Sequence, residues 1–273
     1  MKMKLWVDPD YRAMFSPKTM FEDMRTVEGE VFRTGKGRVT LRFTRKGHGF
    51  FLKRHTGIGW GEIFKDLSQG RLPIIGALNE WRALERLQIM NISSLLPVAF
   101  GQRGFNPAIQ ESFLVTRELT DTISLEDLVK DWQQRKDFIS IKRAIIPQVA
   151  RMARRMHASG INHRDMYICH IHVSKRWLEN PVSYPELFVI DLHRAQIRQS
   201  VPQRWLVKDI ASLHFSSMDA GLTRSDRLRF MRAYRNMQLH QTFELDKIFW
   251  TEVRQRAGRL YSKRPEITSE SED

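Results

Sequence analysis

His163-Arg164-Asp165-Met166-Tyr167-Ile168-Cys169-His170 is the stretch on which the fold turns. It follows a helix stop at Gly160 and places an aspartate in a polar, basic loop, with His170 five residues further on. Downstream, the apolar run Leu187-Phe188-Val189-Ile190 delivers Asp191. Upstream, Phe50-Phe51-Leu52 ends in Lys53, and Glu80 opens a helical pattern. A lysine, a glutamate, a loop aspartate and a post-strand aspartate in this order are the parts of a kinase-type phosphoryl transferase. Such chemistry needs cations on the phosphates, carboxylates on the metal and an acceptor for the hydroxyl proton.

Each residue has a candidate role and a blander alternative. Asp165 would accept the proton of the attacking hydroxyl or orient it; the alternative is a surface charge. Asp191 ends a buried strand, where a carboxylate is costly without a partner. Mg²⁺ bridging nucleotide phosphates is the natural one, against an N-cap or a salt bridge to Arg194. Lys53 would contact the α/β phosphates and pair with Glu80, although either alone could be a surface charge. Thr116 and Glu118, at the end of a later strand, complete the expected cofactor-binding set. Cys169-His170-Ile171-His172 invites a zinc reading, but structural zinc usually draws two separated ligand pairs, and Cys169 is the sole cysteine. Cys169 reads instead as a small buried residue, and no intramolecular disulfide can form, which suits a reducing compartment.

The chain has 273 residues, 41% hydrophobic and 28% charged, enough for one large core or two lobes sharing a cleft. The N-terminal Met1 to Asp8 is basic but has no long apolar segment behind it, which argues against a secretory signal. No apolar run approaches the ~18 residues of a spanning helix. The net charge of +14 implies a polyanionic partner: nucleic acid, an anionic membrane face or a phosphorylated ligand. The charge is uneven, because Phe32 to Arg54 holds eight Lys and Arg and no acid.

Residues 28–54 read as a β-meander, with turns at Gly35-Lys36-Gly37 and Gly47-His48-Gly49. Leu78, Trp81, Leu84 and Leu87 predict a helix from about Ala77 to Gln88. Pro97–Phe100 and Ser112–Thr116 read as two more strands, giving a five-stranded sheet with one helix; residues 57–72 find no place in it. Beyond Ile123 the pattern is helical, with Ser124 as an N-cap. Ile141, Ile145, Val149, Met152 and Met156 share one face of a long helix that Pro147 should kink or restart. Arg224, Arg227, Arg229, Arg232 and Arg235 spread over several faces of a solvated helix. The expected fold is α+β and bilobal, protein-kinase-like, with an antiparallel N-lobe (residues 1–118), a mostly helical C-lobe (residues 119–261) and a flexible acidic tail (residues 262–273).

The chain resembles the lipopolysaccharide core heptose (I) kinases of Gram-negative bacteria. The resemblance is carried by Gly29-Glu30-Val31-Phe32-Arg33, Gly57-Ile58-Gly59-Trp60, Glu62-Ile63-Phe64-Lys65, Glu80-Trp81, and Ile161 to Asp165 with Tyr167-Ile168-Cys169-His170. Val189 to Gln196, Lys208-Asp209 and Phe215-Ser216-Ser217-Met218 extend it. It implies ATP and Mg²⁺, and transfer of the γ-phosphoryl group to the 4-hydroxyl of the first inner-core heptose. The acceptor would be lipid-anchored at the cytoplasmic face of the inner membrane, with the enzyme cytoplasmic and peripheral to that anionic surface. The resemblance also raises acyl carrier protein, a small acidic molecule, as a stabilising partner.

Three features depart from general protein kinases. Gly35-Lys36-Gly37 is not a full G-x-G-x-x-G. His170 stands where asparagine is usual and is expected beside Asp191 at the metal, although Mg²⁺ prefers oxygen. The segment from Asp191 to Asp209 is short and holds no Ala-Pro-Glu, which leaves little platform for a peptide. Asp209 is expected to buttress the Asp165 loop. A catalytically inactive kinase fold that binds an anionic glycolipid shares every feature except turnover, so ATP consumption with acceptor separates it. A basic nucleic-acid-binding protein would need stacking aromatics rather than buried aspartates, and no nucleic-acid partner is expected.

Overall fold

The computed structural model of the protein describes residues 3–35, 37–70 and 73–264. Lys36, the middle of the expected glycine turn, and the tail from 265 onward lie outside them. The chain divides into two compact units: Met1–Thr122 with Phe188–Gln196, and Ile123–Leu187 with Ile197–Asp273.

The first unit is built on an antiparallel sheet of β1 (Met3–Val7), β2 (Glu30–Gly35), β3 (Arg38–Arg45), β4 (His48–His55), β5 (Pro97–Arg103) and β6 (Glu111–Arg117), in the order β1-β5-β6-β4-β3-β2. Helices α1 (Met20–Thr26), α2 (Gly59–Ser68) and α3 (Leu78–Ile89) accompany it. Strand alternation decides which side chains meet. Phe50 and Leu52 of β4 join Leu41, Phe43, Phe113 and Val115 in a core closed by Met20 and Met24 of α1. Lys53, one residue on from Leu52, points to the opposite face, where its register partners are Thr40 and Leu114. Helix α3 lies over that face: Trp81 stacks on Phe100 at 4.6 Å and 10°, and Phe100 is the partner of Leu114.

Two elements differ from the sequence expectation. The sheet has a sixth strand, β1, short and exposed over its first residues, so its stability comes from pairing with β5 rather than from its own pattern. The unplaced segment around residue 60 is helix α2. Its apolar stripe of Trp60, Phe64 and Leu67 is exposed and only Ile63 is buried, so no inward-facing periodicity marked it.

The second unit is mostly helical: α4 (Leu125–Asp131), α5 (Phe138–Ala158), α6 (Lys175–Glu179), α7 (Gln203–Ser216), α8 (Arg224–Arg235), α9 (Leu239–Leu245) and α10 (Lys247–Tyr261). Ser124 caps α4, its Oγ accepting the Asp127 N–H at 3.0 Å. The expected core face of α5 is buried in full, from Ile141 through Met156. Pro147 does not stop or restart the helix. Its missing N–H removes one bond of the ladder, and the buried Ile145, Ile146, Val149 and Ala150 around it hold the helix through that point. Lys142 of α5 meets Asp226 of α8 at 2.8 Å, both nearly buried. The arginines of α8 are less uniformly solvated than the sequence suggests: Arg229 pairs with Asp226 and Arg235 with Asp246, each at 2.8 Å. Cys169 is half-buried rather than buried, because it sits in a single 3₁₀ turn, Ile168–His170, with only Ile168 inside.

Candidate functional site

In the first unit three predicted residues converge. Glu80 heads the inward stripe of α3 with Ala83, Leu84 and Leu87 and is 2% exposed. A carboxylate so buried requires a charged partner. Lys53 supplies it, with Nζ 2.6 Å from Glu80 Oε1. The same ammonium lies 3.2 Å from Asp191 Oδ1. Burial alone would depress the lysine, but Glu80 and Asp191 outweigh it and hold its pKa above the ordinary value.

Asp191 follows the short strand Leu187–Val189 and adopts a left-handed backbone, φ 60° and ψ 55°. That region is sparsely used by non-glycine residues, aspartate and asparagine excepted, and is common where a side chain must be aimed. Ser94 fixes the approach by donating to the Val189 carbonyl at 2.5 Å, and Asn79 of α3 donates to the carbonyls of His193 and Ala195. His193 Nδ1 reaches Asp191 Oδ1 at 2.6 Å. Sequence reasoning missed His193; the only signal was its place two residues after the aspartate.

Two further cofactor-site residues of the sequence reading behave differently. Thr116 is buried in β6 opposite Phe51 and Pro97. Glu118 uses its carboxylate as a two-pronged acceptor for Arg42 at 2.6 and 2.9 Å, and its N–H donates to Gly49 at 3.0 Å. Any contact of Glu118 with a nucleotide would therefore fall to its carbonyl.

In the second unit α5 ends at a left-handed Gly160, φ 78°, whose carbonyl accepts the Arg198 N–H at 2.9 Å. The chain then runs through the fully buried Ile161, Asn162 and His163 to Arg164, φ 74°, and Asp165. Asp209 of α7, fully buried, accepts the His163 N–H at 2.6 Å and the Arg164 N–H at 2.8 Å. Two turns on along the same helix, Ser216 Oγ accepts the Ile168 N–H at 3.0 Å. Helix α7 therefore grips the loop on both sides of Asp165, as the sequence position of Asp209 led one to expect.

Asp209 is itself oriented. His157 Nε2 lies 3.2 Å from its Oδ2, and His157 Nδ1 lies 2.8 Å from the Tyr234 hydroxyl. Burial, with Asp209 and Asp246 nearby and Arg235 opposing, pushes the tyrosine pKa far up, so the phenol stays protonated. His157 bridges the two, and its Nε2–H donates to the Asp209 carboxylate, which can only accept. Nothing in the sequence marked His157 or Tyr234, which lie in different helices. His170 Nδ1 lies 2.8 Å from the Asp165 carbonyl, which fixes the proton on that nitrogen, and its ring is parallel to that of His163 at 5.7 Å.

The donor chemistry fits a nucleotide with a hard cation. One ammonium stands against two carboxylates, an excess of negative oxygen that suits Mg²⁺ bound through a carboxylate and phosphate oxygens. Among the described residues no three His, Cys, Asp or Glu side chains form a ready-made metal cage. Mg²⁺ in phosphoryl-transfer sites does not need one, since substrate and water complete its shell. His170 offers nitrogen, a poorer match.

The second unit also holds an apolar cavity of about 640 Å³, lined by Leu125, Trp132, Val149, Leu213, Phe230 and Met231, with Arg224, Arg227, Lys247 and Arg254 among its remaining walls.

The chain has known relatives in sequence and in fold. Residues 22–234 match the profile of the lipopolysaccharide kinase (Kdo/WaaP) family. The chain is 43% identical over 268 residues to the lipopolysaccharide core heptose(I) kinase WaaP of Pseudomonas aeruginosa, covering 96% of this chain and 97% of that one. To the WaaP of Escherichia coli K12 it is 44% identical over 237 residues, 86% of this chain and 88% of the relative. The solved structure of WaaP in complex with acyl carrier protein superposes with a TM-score of 0.80 at 38% identity, over 94% of this chain and 99% of that one. Sequence likeness of this extent, on a chain that also shares the relative's fold, makes the protein a member of the lipopolysaccharide kinase (Kdo/WaaP) family.

Proposed function

We propose that the protein phosphorylates the first heptose of the lipopolysaccharide inner core, at its 4-hydroxyl, with ATP as donor and Mg²⁺ as metal. The carrying observation is the 43% identity, over 96% of this chain, to a heptose(I) kinase, on a chain that has the Lys53–Glu80–Asp191 trio and the clamped Asp165 loop. Lys53 holds the nucleotide phosphates, and Glu80 keeps its ammonium charged and aimed. Asp191, held by His193, is the metal carboxylate; Mg²⁺ when bound supplies neutralisation of charge on the transferring phosphoryl group. Asp165 receives or orients the acceptor hydroxyl proton. His170 steadies the Asp165 carbonyl through Nδ1, and its expected metal ligation would use Nε2.

No helix among the described residues is long and apolar enough to cross a membrane. The acceptor is lipid-anchored, so we place the protein at the cytoplasmic face of the inner membrane, peripheral to it and drawn there by its +14 charge. A stabilising partnership with acyl carrier protein is supported by the complex solved for WaaP and by the apolar cavity with four basic walls, which suits an acidic protein carrying an acyl chain.

The test is incorporation of phosphate from MgATP into heptose-bearing lipopolysaccharide lacking core phosphate, with the position read by mass spectrometry and NMR. Asp165→Asn should retain nucleotide binding and lose roughly 10² or more in kcat. Labelling of a protein but not of the glycolipid would refute the substrate class.

A further inference from the structure

Arg38 opens β3 directly after the glycine turn and is the register partner of His55, as Thr40, two residues on, is that of Lys53. Paired residues of an antiparallel sheet share a face, and alternate residues of a strand return to it. Arg38, His55 and Lys53 therefore project from one face, the face over which α3 lies. Arg38 is half-buried there. Among the described residues its guanidinium has no hydrogen-bonded partner and no carboxylate within ion-pair distance.

Asp191 and Glu80 are near enough to attract Arg38, but both carboxylates lie on Lys53, at 3.2 and 2.6 Å. Burial, and then Arg33, outweigh their pull and hold the Arg38 pKa below the usual arginine value, although the group stays charged. A guanidinium drawn partly out of water without a carboxylate on it is an unfavourable arrangement, and an arriving anion relieves it. The residue across the sheet supplies no such anion. His55 is 4% exposed, and its buried Nδ1 has no hydrogen-bond partner. Burial, with Arg38, Lys53 and His193 nearby, lowers its pKa to about 4, so the imidazole is neutral. An uncompensated cation and an unmet buried nitrogen thus stand side by side, next to the lysine of the nucleotide site.

We infer, resting on the function proposed above, that Arg38 is a second phosphate-binding cation of the nucleotide site, taking the terminal phosphate of ATP while Lys53 holds the other two. Alternate residues of a strand lie about 6.8 Å apart and paired residues about 5 Å. The Arg38 side chain therefore starts within one residue pair and one strand repeat of Lys53, and its long arm reaches the same phosphate chain. A guanidinium fork meets two oxygens of one phosphate, which the point charge of a lysine does not. The turn Gly35-Lys36-Gly37 is shorter than the glycine-rich loop that covers the phosphates in protein kinases. A cation on the first strand residue after the turn supplies by charge what a longer loop supplies by covering. Neutral His55 leaves the Arg38 charge to the ligand, where an aspartate or glutamate would consume it. Arg38 binds and orients the phosphate and has no part in the proton transfer at Asp165.

The test uses the full-length wild type, Arg38→Gln and Arg38→Lys, titrated with MgATP and MgADP by calorimetry and unfolded by heat without nucleotide. Arg38→Gln should weaken MgATP binding roughly tenfold or more and MgADP binding by no more than about threefold, since only ATP carries the phosphate that Arg38 takes. Arg38→Lys should recover part of the MgATP affinity, because the charge stays while the fork is lost. In the glycolipid assay the ATP KM of Arg38→Gln should rise while the acceptor KM stays within about twofold. The nucleotide-free unfolding temperature of Arg38→Gln should match or exceed that of the wild type, because an uncompensated cation has been removed. Unchanged MgATP affinity, a parallel loss for MgATP and MgADP, or a lower unfolding temperature would overturn the inference. The two readings fail separately. A wild type that binds MgATP but transfers no phosphate to the glycolipid refutes the function, while MgATP binding that ignores Arg38 in an active enzyme refutes the role of this residue.

Discussion

Replacing Asp209 with asparagine tests how the catalytic loop is held. The carboxylate is fully buried and accepts the N–H groups of His163 and Arg164 at 2.6 and 2.8 Å, with His157 Nε2 at 3.2 Å. An amide of the same shape keeps one acceptor oxygen and turns an NH₂ toward a second donor. One charge-assisted bond is lost outright, at about 1.5–3 kcal/mol, and the N–H left behind adds about 1–3 kcal/mol. The remaining bond weakens as its charge disappears. The expected total is about 3–5 kcal/mol, shared between global stability and local release of the loop. Urea unfolding followed by tryptophan fluorescence measures the first part, and kcat at saturating MgATP the second. We expect a lower urea midpoint and a kcat reduced at least tenfold, with the ATP KM within about twofold, because the nucleotide residues belong to the other unit. A variant with wild-type midpoint and kcat would refute the clamp. A kcat loss matched by an equal loss of nucleotide binding would refute its locality.

Other outcomes follow from the same geometry. Lys53→Met strands two carboxylates, one of them 2% exposed, and should cost about 3–5 kcal/mol; Lys53→Met/Glu80→Leu should recover at least 1 kcal/mol of that in thermal unfolding, and strict additivity would dissolve the pair. His55 is 4% exposed, and its pKa is lowered to about 4 by burial and by Arg38, Lys53 and His193. Its folded pKa lies below the unfolded one, so its contribution is present above about pH 6.5 and lost as pH falls toward 4, about 3 kcal/mol at full effect. His55→Gln should flatten stability across that window, and an unchanged profile would remove His55 as the cause. Gly160→Ala should cost about 3 kcal/mol or more, since a Cβ there would overlap the Arg198 carbonyl oxygen in a left-handed backbone; a loss under about 1 kcal/mol in urea unfolding would show that the turn can relax.

The features that read well in the sequence are those in which chemistry and periodicity coincide. Lys53 stands out because it interrupts an apolar alternation, and Asp191 because it ends an apolar run. Four of the five expected strands, β3 to β6, and the buried face of α5 are legible for the same reason, whereas β2 is exposed throughout and is marked only by the glycine turn after it. Strand β1 and helix α2 are not, since one is stable only beside β5 and the other turns its apolar residues outward. Pro147 does not restart the helix because a helix this heavily buried tolerates the loss of one backbone bond. The partners of the site residues are the least legible of all. Asp209, His157 and Tyr234 form one chain of hydrogen bonds across three helices, and no local pattern encodes such a meeting. The taking of Glu118 by Arg42 is likewise a tertiary event, 76 residues apart in sequence.

The division of the chain has a consequence for how such enzymes can be cut, shuffled or evolved. The first unit is not one stretch of gene: it ends at Thr122 and resumes at Phe188–Gln196, and the resumed stretch carries Asp191. A fragment ending near residue 122 would encode the lysine and its buried glutamate without the metal carboxylate. A single-crossover chimera between two relatives, joined anywhere from residue 123 to 187, would take Lys53 from one parent and Asp191, with His193 behind it, from the other. Co-inheritance of the trio requires two exchange points, so recombination within this family should preserve either the whole chain or a nested insert, and exchanged N-terminal halves should survive only where the two parents agree around Asp191.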